Sequence, residues 1–77
     1  MRITGMESIA GLVKSRRKSL GLTQAETAAM CGVGKRFFSE LENAKESLQM
    51  DKVLNCLEML GINLYGVNRE DDMGAGR

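Results

Sequence analysis

The segment LGLTQAETAAMCGVGKRFFSELEN, residues 20–43, decides the fold of this chain. Near its start, Thr23 and Glu26 have the spacing of a capping box, in which each side chain accepts a hydrogen bond from the backbone N–H of the other. This pattern predicts a short helix from Gln24 to about Cys31. The Gly-Val-Gly sequence at 32–34 predicts its end, with a left-handed turn at the first glycine.

A second short helix is predicted from Lys35 to about Glu42. Phe38 and Leu41 recur at helical spacing and should face inward. The outward positions of this helix are Lys35, Arg36, Ser39 and Glu40. Two short helices joined by a tight turn form a helix-turn-helix unit, whose second helix can lie in the major groove of DNA.

Apolar spacing predicts one further helix on each side of this unit. The first spans about Glu7 to Leu20 and the last about Met50 to Leu60, before Gly61. Their inward residues are expected to be Ile9, Leu12, Val13 and Leu20 in the first, and Val53, Leu54, Leu57 and Leu60 in the last. The sequence therefore predicts an all-α fold.

Apolar and polar residues alternate after Gly61, which is typical of a strand. A single strand has unpaired backbone groups, so we expect it to pair with the same strand of a second subunit. The dimerisation residues would be Ile62, Leu64 and Val67. We interpret residues 1–67 as one DNA-binding and dimerisation domain, and residues 68–77 as a flexible C-terminal tail.

Composition excludes several other classes of protein. The chain has 77 residues, 43% of them hydrophobic, and no histidine. Cys31 and Cys56 match no metal motif and should act as small core residues. We expect no enzyme, metal or cofactor, because the sequence offers no histidine, no carboxylate pair in a plausible cleft and no glycine-rich phosphate-binding loop. No long apolar run or signal peptide is visible, so we expect no membrane contact and a cytoplasmic protein.

Charge is distributed unevenly along the chain. Residues 1–45 hold eight basic and four acidic residues, a net +4, whereas residues 46–77 hold three basic and six acidic, a net −3. A basic front and an acidic rear suit a protein that presents one face to phosphate and another to a protein partner. A chance imbalance on a solvated surface is the alternative.

The sequence from Val13 to Glu26, together with residues 32–34 and Leu41-Glu42-Asn43, resembles the phage-repressor-like (Cro/C1, or Xre) helix-turn-helix family. The resemblance covers roughly residues 9–61. Residues 48–62 further resemble the HipB-like antitoxins, a branch in which a strand pairing between subunits replaces the usual fifth helix. The resemblance implies a four- to five-helix lambda-repressor-like domain, with double-stranded operator DNA as its partner.

The resemblance also assigns roles to individual residues. It implies that Gln24 bonds the DNA backbone and that Arg17 and Glu42 form a structural ion pair. The expected groove-facing residues are Lys35, Arg36, Phe37, Ser39 and Glu40, and the expected phosphate-contacting loop residues are Asn43 and Lys45. Two positions depart from the family: Thr27 replaces a large apolar residue, which should cost packing, and Ala44 replaces a glycine, so the turn could differ.

Several of these residues have a second interpretation. Gln24 could be a solvated helix residue, and Lys35 and Arg36 could be ordinary surface charges. Phe37 either packs inward or contacts a thymine methyl. Glu40 either accepts from a cytosine amino group or pairs with Arg36 one turn earlier, and we favour the pair.

Three functional hypotheses follow. The first is a homodimeric repressor that acts as an antitoxin, with a HipA-like serine/threonine kinase toxin as the partner that the resemblance implies. The second is a free-standing phage or plasmid regulator. The third is a protein-binding module that has lost DNA binding.

Overall fold

Four α-helices make up the computed structural model of the protein, which describes residues 1–70. In chain order they are α1 (Met6–Ser19), α2 (Gln24–Cys31), α3 (Lys35–Glu42) and α4 (Met50–Met59). No strand occurs among the described residues, so the predicted all-α class is confirmed. Across the same residues, no helix is both long and apolar enough to cross a membrane.

The core contains side chains from all four helices. Its fully or almost fully buried members are Val13, Thr27, Phe38, Leu41, Val53, Cys56, Leu57 and Leu60. Cys31 and Cys56 are buried free thiols, as the sequence predicted. Burial, and secondarily the neighbouring Cys31 thiol, raise the pKa of Cys56 to about 12, so this residue stays protonated and acts as an apolar group.

Two leucines predicted to be inward are exposed. Leu20 is 45% exposed because α1 ends before it and Arg17 takes the inward position of the last turn. Leu54 is 47% exposed, and Cys56 is buried in its place. The reason is angular: at 100° per residue, Leu54 lies a quarter turn away from the face that carries Val53 and Leu57.

All four helices end in the same hydrogen-bond pattern, the Schellman motif. A residue with positive φ follows each helix: Gly21, Gly32, Ala44 and Gly61. The next residue donates its backbone N–H to a carbonyl five positions earlier, at 2.9–3.1 Å. At three ends that next residue is a half-buried apolar one, namely Leu22, Val33 or Ile62. At the end of α3 it is Lys45, which is exposed.

Two side-chain hydrogen bonds join α4 to α1 and to α2. The Arg16 guanidinium of α1 donates from Nε to the carbonyl of Leu60 at 2.8 Å. The Asn55 amide of α4 donates to the carbonyl of Cys31, at the end of α2, at 2.9 Å. These bonds satisfy carbonyls that a helix end leaves without an internal partner, and they fix α4 against the helix-turn-helix unit.

The chain after α4 forms neither helix nor strand as far as Asn68. Ile62 is half-buried against the core, whereas the residues that follow it are exposed. A strand that pairs between subunits requires a second chain, so this pairing stays a prediction. Residues 71–77 of the predicted flexible tail lie outside the described residues.

Candidate nucleic-acid interface

The N-terminus of α2 is fixed by the predicted capping box. The Thr23 hydroxyl accepts from the Glu26 backbone N–H at 3.1 Å, and the Glu26 carboxylate accepts from the Thr23 N–H at 2.9 Å. The bond from the Thr23 backbone N–H, and secondarily the Thr23 side chain, lower the pKa of Glu26. Thr27, where a packing cost was expected, is fully buried, and its hydroxyl donates to the Thr23 carbonyl at 2.8 Å, so its polar atom is satisfied.

A buried ion pair connects α1 to the end of α3. The Arg17 guanidinium donates two hydrogen bonds to the Glu42 carboxylate, one of them from Nη2 to Oε1 at 3.0 Å. A third bond, at 2.8 Å, runs from Arg17 Nη1 to the carbonyl of Leu22. The two side chains are only 11% and 2% exposed. A two-point arginine–carboxylate contact of this kind fixes orientation as well as distance.

Gln24 joins the same network, which the sequence did not reveal. Its side-chain amide donates to Glu42 Oε1 at 2.9 Å. Burial alone would raise the pKa of Glu42, but the hydrogen bonds from Arg17 and Gln24 and the nearby positive charges outweigh it, so the pKa is lowered. The start of α2, the end of α3 and the last turn of α1 are therefore held together by one carboxylate.

The buried face of α3 leaves its first turn exposed. Phe38 and Leu41 have no exposed surface, and they anchor the helix in the core. Lys35 and Arg36 are exposed at its N-terminal turn, with 91% of the Arg36 side chain in contact with solvent. Gly34 precedes them as the N-cap, so no side chain caps the start of this helix. Ser39 is half-buried.

Two alternatives were predicted for Phe37, and in the structure its side chain packs inward. It is half-buried and packs against the core. The ammonium of Lys52 in α4 lies 5.9 Å from the centre of its ring, within the range of a cation–π contact. This contact was not predicted, because no local spacing relates residues 37 and 52.

Glu40 pairs with two cations rather than one. Its Oε2 lies 3.7 Å from Arg36 Nε, the predicted partner, but only 2.9 Å from the Lys45 ammonium. The hydrogen bond from Lys45 lowers the pKa of Glu40, with a further contribution from Arg36. The stronger partner therefore comes from the loop after α3. Asn43 is exposed at the same helix end.

The residues assigned to DNA form two groups in space. Lys35 and Arg36 occupy the N-terminal turn of α3, and Asn43 and Lys45 occupy its C-terminal end. Gln24 contacts the carboxylate that supports the helix between them. The arrangement is a helix with an exposed, cationic first turn, held from beneath by buried contacts.

Comparison with known proteins agrees with this geometry. A helix-turn-helix family model matches residues 13–67. An uncharacterized HTH-type transcriptional regulator, y4mF of Sinorhizobium fredii (strain NBRC 101917 / NGR234), is 41% identical over 63 residues, which are 82% of this chain and 83% of that protein.

Solved structures of HipB share the fold. A complex described as HipB-O4 20mer has a TM-score of 0.79 at 22% identity, covering 90% of this chain and 97% of that one. A complex of HipA, HipB, O2 and O3 has a TM-score of 0.80 at 22% identity, with the same two coverages.

The predicted resemblance to this family is therefore confirmed, and with it the expectation that the chain is not an enzyme. The helix-turn-helix unit, the family model that covers most of the chain and the related regulator all agree. The chain belongs to the Cro/C1-type helix-turn-helix family of transcriptional regulators.

Proposed function

We propose that this chain is a cytoplasmic, sequence-specific repressor that binds an inverted-repeat operator as a homodimer. The observation that carries the proposal is the first turn of α3, where Lys35 and Arg36 are exposed while Phe38 and Leu41 anchor the helix in the core. An arginine or lysine in this position can donate to guanine O6 and N7, which discriminates between bases by ~1–3 kcal/mol.

In this proposal the remaining contacts fix the position of the protein on DNA. Gln24, Asn43 and Lys45 would bind the phosphate backbone, which sets register without reading sequence. Ser39 and Phe37 would lie at the edge of the groove, since both are half-buried. Glu40 is the one acidic residue among the expected groove-facing residues.

Dimerisation would use the C-terminal part of residues 1–67. Large apolar side chains of this part are exposed in the single chain: Met50, Leu54, Met59, Leu64, Tyr65 and Val67. A groove between α4 and the following segment is lined by Leu54, Leu57, Ile62 and Leu64, among others. Pairing of residues 62–67 between two subunits would cover this surface and satisfy the backbone groups that a lone strand leaves unpaired.

The finer proposal is that the repressor is the antitoxin of a HipBA-like pair. It is supported by the fold shared with HipB, including a structure in which HipB is in complex with HipA. The partner would be a HipA-like serine/threonine kinase toxin. A free-standing regulator is the second candidate, favoured by the related regulator of Sinorhizobium fredii, whose name mentions no toxin. An adjoining kinase-like reading frame would favour the antitoxin.

Selection of bound duplexes from a random DNA pool tests the DNA-binding proposal. We expect recovery of an inverted repeat with half-sites about 34 Å apart, one helical turn, as a two-fold dimer requires. Affinity that stays near the non-specific level, a Kd of roughly 10⁻⁴–10⁻⁶ M for every duplex, would contradict it. For the partner, co-expression with the adjoining kinase followed by gel filtration should give one complex, and separate elution would favour the free-standing regulator.

A further inference from the structure

We propose that Glu40 limits non-specific DNA binding by holding Lys45, and more weakly Arg36, away from phosphates. The inference rests on the proposed DNA-binding function and deepens it. Glu40 would lower the general affinity for DNA through the cations that it holds, without itself bonding to a base.

The geometry of the α3 end carries the first step. The other three helix ends are closed by an apolar residue after the positive-φ position, which is the usual side-chain contact of this motif. At the α3 end, Lys45 takes this place and donates its backbone N–H to the Glu40 carbonyl at 3.0 Å. The backbone thus brings Lys45 next to Glu40, and the ammonium completes the contact at 2.9 Å.

The second step concerns the charge of the face. Arg36 reaches the same carboxylate oxygen from the other side, one helical turn earlier, at 3.7 Å. One negative charge therefore lies between two of the cations that are placed to meet DNA. Non-specific affinity depends on how many cations neutralise phosphates. A carboxylate that occupies these cations reduces that number and also repels phosphate itself.

The third step compares non-specific DNA with the operator. Non-specific DNA offers Lys45 only a phosphate in exchange for Glu40, so little is gained by breaking the pair. An operator that aligns the first turn of α3 with its bases adds contacts by Lys35, which has no ion-pair partner among residues 1–70. The penalty from Glu40 therefore acts equally on all DNA and leaves the ratio of operator to non-specific affinity unchanged. It lowers the occupancy of non-specific sites, whereas on the operator the additional contacts of Lys35 offset it.

The test measures the salt dependence of binding to a mixed-sequence 20-base-pair duplex. Glu40→Gln should bind this duplex more tightly than the wild type, because Lys45 and Arg36 become free to neutralise phosphates. Its plot of log K against log salt should steepen by about 0.9 for each additional phosphate that is neutralised. Between 50 and 200 mM salt, each such phosphate corresponds to about a 3.5-fold larger loss of affinity.

Glu46→Gln is the matched control, because it removes the same charge from the loop that follows α3 and Glu46 forms no ion pair within residues 1–70. Its slope should equal that of the wild type. In the double variant Glu40→Gln/Lys45→Gln the part of the added slope that comes from Lys45 should be lost, and only the smaller part from Arg36 should remain. Circular dichroism on each variant checks that the exposed substitutions leave the fold intact.

Two results would overturn the inference while leaving the proposed function standing. One is a Glu40→Gln slope equal to that of Glu46→Gln, with the wild type still recovering a palindrome. The other is a loss of affinity for that palindrome with mixed-sequence binding unchanged, which would show that Glu40 bonds directly to a base. If the wild type binds no DNA, both proposals fail.

Discussion

Replacing Arg17 with methionine should destabilise the fold far more than removing an ordinary surface charge. The Glu42 side chain is only 2% exposed, and it would keep its charge with Gln24 as its one remaining side-chain donor. Removing one partner of a buried pair costs about 3–5 kcal/mol. At about 0.05–0.15 kcal/mol per residue, a chain of this length has a total stability of roughly 4–12 kcal/mol. The substitution should therefore remove a large share of the total free energy of unfolding.

The measurement is urea unfolding followed by circular dichroism, at one fixed protein concentration because a dimer couples stability to concentration. In a thermal melt of the same variant, the melting temperature should fall by at least about 10 °C, since 1 kcal/mol corresponds to about 4–8 °C for a domain of this size. Lys18→Met is the matched control: it removes an exposed cation one residue away and should change the free energy of unfolding by less than about 0.5 kcal/mol.

The pH dependence distinguishes this account from a simple loss of packing. The lowered pKa of Glu42 means that the pair stabilises the fold above the ordinary glutamate pKa, and that this contribution disappears as the pH falls through the lowered value. Without Arg17, burial should raise the pKa of Glu42, so the folded variant takes up a proton more readily. The difference between variant and wild type should therefore shrink from pH 7 to pH 4. A loss below about 1 kcal/mol at pH 7, or an equal loss at both pH values, would refute the reasoning.

Three other predictions address the turn, the interface and the dimer. Ala44→Gly should raise the free energy of unfolding by about 0.5–1 kcal/mol, because alanine is disfavoured at a φ of 61°; Gly32→Ala should do the opposite, and two changes of the same sign in thermal melts would contradict the argument. Replacing Lys35 and Arg36 together with alanine should weaken operator binding far more than binding to random duplexes in fluorescence anisotropy; equal losses would mean that both residues contact only phosphate. Ending the chain after Gly61 should shift the protein toward monomer in analytical ultracentrifugation, whereas an unchanged dimer would exclude pairing through residues 62–67.

Local signals predicted most of the fold. The capping box and Gly32 fixed the bounds of α2, and Gly34 fixed the start of α3, because each acts on backbone groups within a few residues of itself. Leu20 and Leu54 were assigned wrongly because hydrophobicity was weighed without the exact angle around the helix or the point where the helix ends.

Contacts between distant residues could not be predicted from the sequence. Residue spacing along one helix predicted Arg36 as the partner of Glu40, but the nearer partner is Lys45. The position of Lys45 depends on a left-handed conformation at Ala44, and an alanine in the sequence does not indicate that conformation. The bonds from Arg16 to Leu60 and from Gln24 to Glu42 join residues 44 and 18 positions apart. Nothing local marks one arginine or glutamine as the donor.

The bonds that tie α4 to the ends of its neighbours have a geometric consequence. Arg16 and Asn55 join α4 to α1 and to the end of α2, which favours one orientation of α4 against the unit that contains α3. In the proposed dimer, two subunits joined along α4 would then hold their α3 helices at one distance and one angle. One base pair inserted between half-sites displaces the second by about 3.4 Å and rotates it by about 35°. If the proposed dimer keeps this orientation it would not follow that rotation, so we expect operator affinity to depend on the length of the spacer.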